Sequence, residues 1–133
     1  MVEEFLSGEE ATVTVMRPSS SSVGEDYWAL LVASRFDHED GVAPYNGNVA
    51  VTLNSRAVSA EAVAADGAYA EVARQFEGVA RLLEVTAPIR IDVRRRRDER
   101  EAPFVHFDVH MKPVSSVLLY LMDWTVLTLT RRI

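Results

Sequence analysis

The sequence predicts an α+β domain in which an antiparallel sheet of five or six strands carries one long helix packed on one face. Two observations lead to this prediction. Segments of alternating apolar and polar residues recur on both sides of one segment with helical spacing, and the resulting order is β-β-β-α-β-β followed by an apolar tail. A length of 133 residues is typical of one domain, so residues 1–133 are expected to fold together.

Three strands are predicted before the helix. Residues 10–18 alternate between threonine and valine, which is typical of a half-buried strand. Residues 27–36 are apolar at both alternating positions and predict a central strand that is covered on both sides. A turn-rich connection follows, and residues 48–58 then resume an alternating pattern that predicts the third strand.

The predicted helix has recognisable start signals. Ser59 is suited to be an N-cap, so a helix is expected to begin at about Ala60. The pair Asp66–Gly67 can interrupt this helix, with Asp66 capping a second piece. Pro88 closes the segment. The apolar residues of the second piece recur at helical spacing and are Tyr69, Val72, Phe76, Val79 and Leu83.

A hairpin is predicted from two alternating segments, residues 89–97 and 104–112, which are joined by a charged tip. The expected register pairs opposite charges on the polar face, and a slip of two residues is the alternative that keeps the same faces. Its polar pairs are Asp92 with His110, Arg94 with Asp108, and Arg96 with His106. The residues expected to face inward on the second strand are Val105, Phe107, Val109 and Met111. For the tail, the sequence favours a short helix and then a strand, although residues 124–131 are also compatible with helix.

His106, Asp108 and His110 are the most chemically suggestive residues in the chain, because alternate residues of a strand share one face. One interpretation is a metal or acid–base site, with His38 as a further ligand. The other is the solvated face of a sheet. The second is favoured, because the backbones of two histidines four residues apart on a strand are separated by roughly 13 Å and because the neighbouring arginines repel a cation.

Composition excludes several classes of function. The net charge of −6 disfavours general nucleic-acid binding, and Asp98 and Glu99 dilute the basic run at residues 94–97. Cysteine is absent, which excludes disulfides and thiolate chemistry, and the acidic first ten residues lack the basic end and apolar run of a signal peptide, so secretion is not expected. The apolar run 114–130 contains Asp123, so no membrane span is expected. A cytoplasmic location is the expectation that fits these features.

A binding role is favoured over an enzymatic one, because the sequence has neither a phosphate-binding glycine loop nor a Gly-x-Ser-x-Gly motif, and no motif implies a cofactor. The leading hypothesis is a non-enzymatic protein-binding or assembly module that forms homo-oligomers through the hairpin arm 94–104 and the C-terminal apolar segment. The expected contact residues are Tyr45, Arg95, Arg97 and Trp124. The alternative hypothesis is a small metal-dependent enzyme or metal-binding domain.

Overall fold

A computed structural model describes residues 3–18, 26–38 and 54–111 of the chain. Residues 48–53 of the third predicted strand and the tail from residue 112 onward lie outside the described residues. The elements are β1 Glu10–Met16, β2 Trp28–Ala29, β3 Ala33–Arg35, β4 Ser55–Ala57, α1 Ala60–Ala65, α2 Gly67–Leu82, β5 Ile89–Arg95 and β6 Phe104–His110. The strands form one antiparallel sheet in the order β4-β3-β1-β5-β6, with β2 also paired to β1, which confirms the predicted α+β fold. Within the described residues, no helix has the length and apolar character needed to cross a membrane.

Both helices begin as the capping signals predict. The Ser59 hydroxyl accepts a hydrogen bond from the backbone N–H of Ala62 at 3.2 Å, and this contact caps α1. Asp66 ends α1 and caps α2 by accepting from the N–H of Ala68 at 3.0 Å. The buried face of α2 packs on the sheet and consists of Val72, Phe76 and Ala80.

Strand β1 is buried on both faces, whereas its alternating sequence predicts a half-buried strand. Val13 and Val15 belong to the core on the side of the sheet that faces the helices, which we call the helix side. Thr12 and Thr14 are only 4% and 2% exposed on the opposite side, which we call the far side. The Thr12 hydroxyl donates to Asp92 at 2.9 Å, and such a hydrogen bond allows a polar group to be buried.

Residues 27–36 form two short strands instead of one long one. Strand β2 pairs Ala29 with Val15, whereas β3 pairs Ala33 with Thr12, so the register against β1 shifts by one residue between them. The backbone N–H of Leu30 still reaches β1 through a 2.8 Å hydrogen bond to Thr14. The extra residue makes this segment a bulged strand that remains beside β1 throughout.

The hairpin forms where predicted, but the predicted register is wrong by two residues. His110 lies opposite Arg90, and Asp108 lies opposite Asp92. A further shift falls between Asp92 and Val93, so Phe107 has no direct partner on β5 and forms a β-bulge.

The bulge changes which side of the sheet the flanking residues occupy. Before it, His106 lies opposite Val93, on the helix side, and Val105 lies opposite Arg94. The prediction that Val105, Phe107, Val109 and Met111 all face inward is therefore wrong. The bulge turns Val105 to the far side, and Phe107, Val109 and Met111 are exposed by 54%, 44% and 55% although Val109 lies opposite the core residue Ile91.

Candidate functional site

An exposed apolar stripe lies at the last strand of the sheet. It consists of Phe107, Val109 and Met111, and we call it the apolar edge. Strand β6 is the terminal strand of the sheet, and among the described residues it pairs with β5 alone. Apolar side chains on an open edge strand are unusual in a monomer, because the unpaired backbone N–H and C=O groups beside them invite pairing with another chain.

Beside the apolar edge, on the far side of the sheet, three potential metal ligands converge. They are Asp92, Asp108 and His110, and we call them the acid–histidine cluster. His110 Nε2 lies 3.1 Å from Asp92 Oδ2 and 3.0 Å from Asp108 Oδ2. One ligand atom from each residue lies within 4.8 Å of the other two. The cross-strand pairing of Asp108 with Asp92 brings the two carboxylates together.

The surroundings of the cluster are unequal in exposure and charge. The Asp92 side chain is 8% exposed and that of Asp108 is 54% exposed. Arg90 Nη2 donates to Asp92 Oδ2 at 3.2 Å, and Thr12 holds the other oxygen of this carboxylate. Arg90 therefore neutralises part of the negative charge, and Asp108 is the carboxylate that solvent can reach.

The cluster can act chemically in two ways. When His110 is protonated, its Nε2–H can be shared between the two carboxylates as a charge-assisted hydrogen bond. When it is neutral, one nitrogen and two carboxylate oxygens form a ligand set suited to divalent transition metals. Ligand atoms at right angles around an ion, each about 2.1 Å from it, are about 3.0 Å apart. The distances from His110 Nε2 to the two carboxylates, 3.1 and 3.0 Å, are close to this spacing and are also those of hydrogen bonds.

The structure places the other predicted metal ligands elsewhere. His38 Nε2 lies 3.2 Å from Glu10 Oε2, and Arg35 pairs with the same carboxylate at 3.2 Å. The His106 ring is edge-on to Phe76 of α2, with centroids 6.2 Å apart, on the helix side. Among the described residues, the group of converging ligands includes neither histidine.

Asp92 is the cluster residue that was not predicted as a ligand from the sequence. The available signal was its position in β5, because a polar residue alternating with Ile91 and Val93 must lie on the far side. The predicted hairpin already placed Asp92 opposite His110. What the sequence did not provide was the true register, which brings Asp108 to Asp92 instead.

Arg95, predicted as a contact residue on a projecting arm, is 4% exposed. Its guanidinium donates to Asp66 at 2.7 Å and to Glu9 at 3.1 Å. It also lies over the Tyr69 and Phe104 rings, 4.8 Å and 4.3 Å from their centroids. These contacts join β5, α2 and the segment before β1 at the turn end of the hairpin.

The electrostatics of this buried group stabilise its charged forms. Burial by itself raises the pKa of Asp66, but hydrogen bonds from the backbone N–H groups of Ala68 and Glu101, together with Arg95, outweigh it and hold this pKa below its usual value. Burial likewise lowers the pKa of Arg95, but its hydrogen bonds and its carboxylate neighbours outweigh that effect and raise it. Both groups therefore stay ionised near neutral pH.

The structure describes one of the three remaining predicted contact residues. Arg97 is exposed at the charged tip that follows β5. Tyr45 and Trp124 lie outside the described residues. The tip therefore has one exposed arginine of the predicted pair, and the other is interior.

Comparison with known proteins gives no relative for this chain. No protein-family model matches it, and neither a curated protein nor a solved structure is significantly similar. Function is therefore inferred from the contacts, charges and exposure of the described residues.

Proposed function

We propose that this chain is a non-enzymatic protein-binding or assembly module that forms homo-oligomers and uses the apolar edge as its contact surface. The observation that carries this proposal is the coincidence of a strand edge that no other described strand covers with three exposed apolar side chains. The contact surface differs from the arm that the sequence suggested. Arg95 of that arm is engaged inside the chain, which moves the candidate surface from the tip to β6.

The physical gain from covering this surface is substantial. Complete burial of a valine, methionine or phenylalanine side chain contributes about 1.5–3 kcal/mol, and these three are roughly half exposed, so about half of that remains available. An added strand also satisfies the backbone groups on the open side of β6. Exposed apolar area and unpaired backbone therefore favour the same kind of partner, which is another β-strand.

The test is sedimentation velocity of the purified chain over a wide concentration range, with two lysine variants. Val109→Lys places a charge in the middle of the apolar edge and should abolish association. Leu82→Lys is the matched control, because Leu82 is 82% exposed near the end of α2, away from β6. A wild-type chain that sediments as a monomer at every concentration would rule out self-assembly, and equal effects of both lysines would rule out the apolar edge.

A second candidate function is metal binding, for which the convergence of Asp92, Asp108 and His110 is the supporting observation. The proposed ligand class is a divalent transition metal such as zinc or manganese, because the set combines an imidazole nitrogen with carboxylate oxygens. Arg90 beside Asp92 opposes this function, since a guanidinium competes with the ion for the same oxygen.

Titration calorimetry with zinc and manganese tests whether the acid–histidine cluster binds a metal ion. His110→Ala and Asp108→Asn should each remove the binding signal, and both sites are exposed enough to leave the fold intact. His106→Ala is the matched control, because this histidine lies next to the bulge but on the helix side. The metal-binding function would be excluded if the wild-type chain took up neither ion. It would also be excluded if His106→Ala reduced binding as much as His110→Ala does.

A further inference from the structure

We infer that the strand added to the apolar edge is β6 of a second copy of this chain, running antiparallel, with a two-fold axis at Val109. This inference rests on the proposed function and specifies its partner and register. It starts from the sides of the sheet that the exposed residues occupy. Val109 lies opposite Ile91 of the core, and Asp108 lies opposite Asp92 on the far side.

Alternation extends this assignment along the end of β6. Met111 shares the helix side with Val109, and His110 shares the far side with Asp108. Phe107 is the bulged residue, to which regular alternation does not apply. In an antiparallel pair, residues directly opposite each other lie on the same side of the sheet. A two-fold axis perpendicular to the sheet satisfies this condition when it places one residue directly opposite its own copy. Along this stretch, the residues at which the axis can be centred are Asp108, Val109 and His110.

Side-chain pairing then selects one of these three centres. An axis at Asp108 places two carboxylates opposite each other, and like charges directly opposite are destabilising. An axis at His110 places two imidazoles opposite each other, so neither meets an acceptor carboxylate across the axis. A carboxylate opposite an imidazole can accept a hydrogen bond from a ring N–H. An axis at Val109 places Asp108 opposite the partner's His110, and the same pair recurs on the other side of the axis.

The apolar side chains agree with this choice. With the axis at Val109, the two copies of Val109 meet each other, and Phe107 lies opposite the partner's Met111 twice. All three exposed residues of the apolar edge are then covered in one arrangement. The bulge at Phe107 limits the pairing, because residues before it are out of phase with regular alternation. The two sheets would join across residues 107–111.

The absence of cysteine from the sequence allows a direct test of the register. Four single-cysteine variants are compared during mild oxidation: Val109→Cys, Asp108→Cys, His110→Cys and the control Leu82→Cys. Residues opposite each other in an antiparallel pair have Cα atoms about 4.5–5.5 Å apart, which is within the range that a disulfide spans. Val109→Cys should therefore form covalent dimers about tenfold or more faster than the other three, since pairing holds its thiols at high effective concentration.

The outcomes distinguish this inference from the proposed function. Fastest crosslinking at position 108 or 110 would overturn the Val109 register while leaving the apolar edge as the contact surface. If the wild type associates but none of the three β6 cysteines crosslinks faster than Leu82→Cys, then β6 does not pair with itself. A monomeric wild type in sedimentation would overturn both the inference and the proposed self-assembly. Circular dichroism of each variant verifies that it is folded.

Discussion

The two halves of β6 differ in their surroundings, although both pair with β5 and both carry alternating sequence. On the turn side of Phe107, Phe104 is 8% exposed and is covered by Tyr69 and Arg95. On the other side, Val109 is 44% exposed even though it lies opposite a core residue. Strand pairing alone therefore does not bury a side chain, and a second layer decides which half is interior.

Helix α2 supplies that second layer to the first half of β6. It contacts β6 through Tyr69 and Phe76, whose rings lie 5.7 Å from Phe104 and 6.2 Å from His106 between centroids. The next residue, Glu77, already accepts a hydrogen bond from Ala29 of β2. Near the end of the helix, Leu82 is 82% exposed. The turn half of the hairpin therefore serves stability, and the other half, which no other described element covers, is the surface that the proposed contacts would use.

The largest effect in this comparison is expected from Arg95→Met at the turn half. Methionine keeps an unbranched apolar stem but leaves the carboxylates of Asp66 and Glu9 without their cation. Removing one partner of a buried ion pair costs about 3–5 kcal/mol. Urea unfolding should show this loss in the free energy of unfolding. A cost below about 1 kcal/mol, which is typical of exposed pairs, would contradict the structural role.

The next effect comes from Gly8, whose neighbours belong to the end of β5. A Cβ at this position would clash with the Arg97 carbonyl oxygen and would lie 2.5 Å from the Cβ of Arg95. Gly8→Ala should therefore destabilise the turn half by about 1–3 kcal/mol, as overpacking does elsewhere. Thermal unfolding measures the change.

The control for this variant is Gly78→Ala in α2, where an added Cβ meets no atom within 4 Å. Alanine should raise stability there by about 0.5–1 kcal/mol, because glycine is unfavourable inside a helix. The two alanine substitutions thus have opposite expected signs. Equal destabilisation by both substitutions would mean that the close contacts around Gly8 do not explain the effect of Gly8→Ala.

The sequence predicted the parts of this fold that depend on local chemistry. The caps at Ser59 and Asp66 were predicted because a side-chain acceptor two or three residues before a helical N–H is a local signal. The bulge at Phe107 could not be predicted, because apolar and polar residues alternate through it without interruption. Its presence depends on how β6 fits against β5 and α2.

The candidate sites show the same division between local and distant signals. Asp108 and His110 were identified from their spacing alone, whereas their convergence with Asp92 required the register. The interior position of Arg95 depends on partners 29 and 86 residues away in sequence. A single alternating strand pattern carries no information about such partners, so an arginine on an apolar face was interpreted as part of an exposed arm.

A smaller loss in the free energy of unfolding is expected at acidic pH, and it should arise from the turn half of the hairpin. Because the pKa of Asp66 is held below its ordinary value of 3.8, the unfolded chain takes up this proton before the native chain does as pH falls. The stabilising contribution is therefore complete above the unfolded pKa and is lost as pH falls through the native one. Urea unfolding from about pH 6 to about pH 3 should show this decline, and it should be weaker in Asp66→Asn.

The smallest expected effect is that of Arg97→Ala. This variant tests whether the tip contributes to stability, as the turn half of β6 does, or to association, as proposed for the other half. Arg97 is exposed, so its removal should change the free energy of unfolding by less than about 0.5 kcal/mol, in contrast to Arg95 two residues earlier. Sedimentation should also be unchanged, because the inferred pairing spans residues 107–111 and the tip lies at the opposite end of the strand. If Arg97→Ala weakened association as strongly as Val109→Lys, the contact surface would have to extend over the tip. Residues 107–111 would then be only part of it.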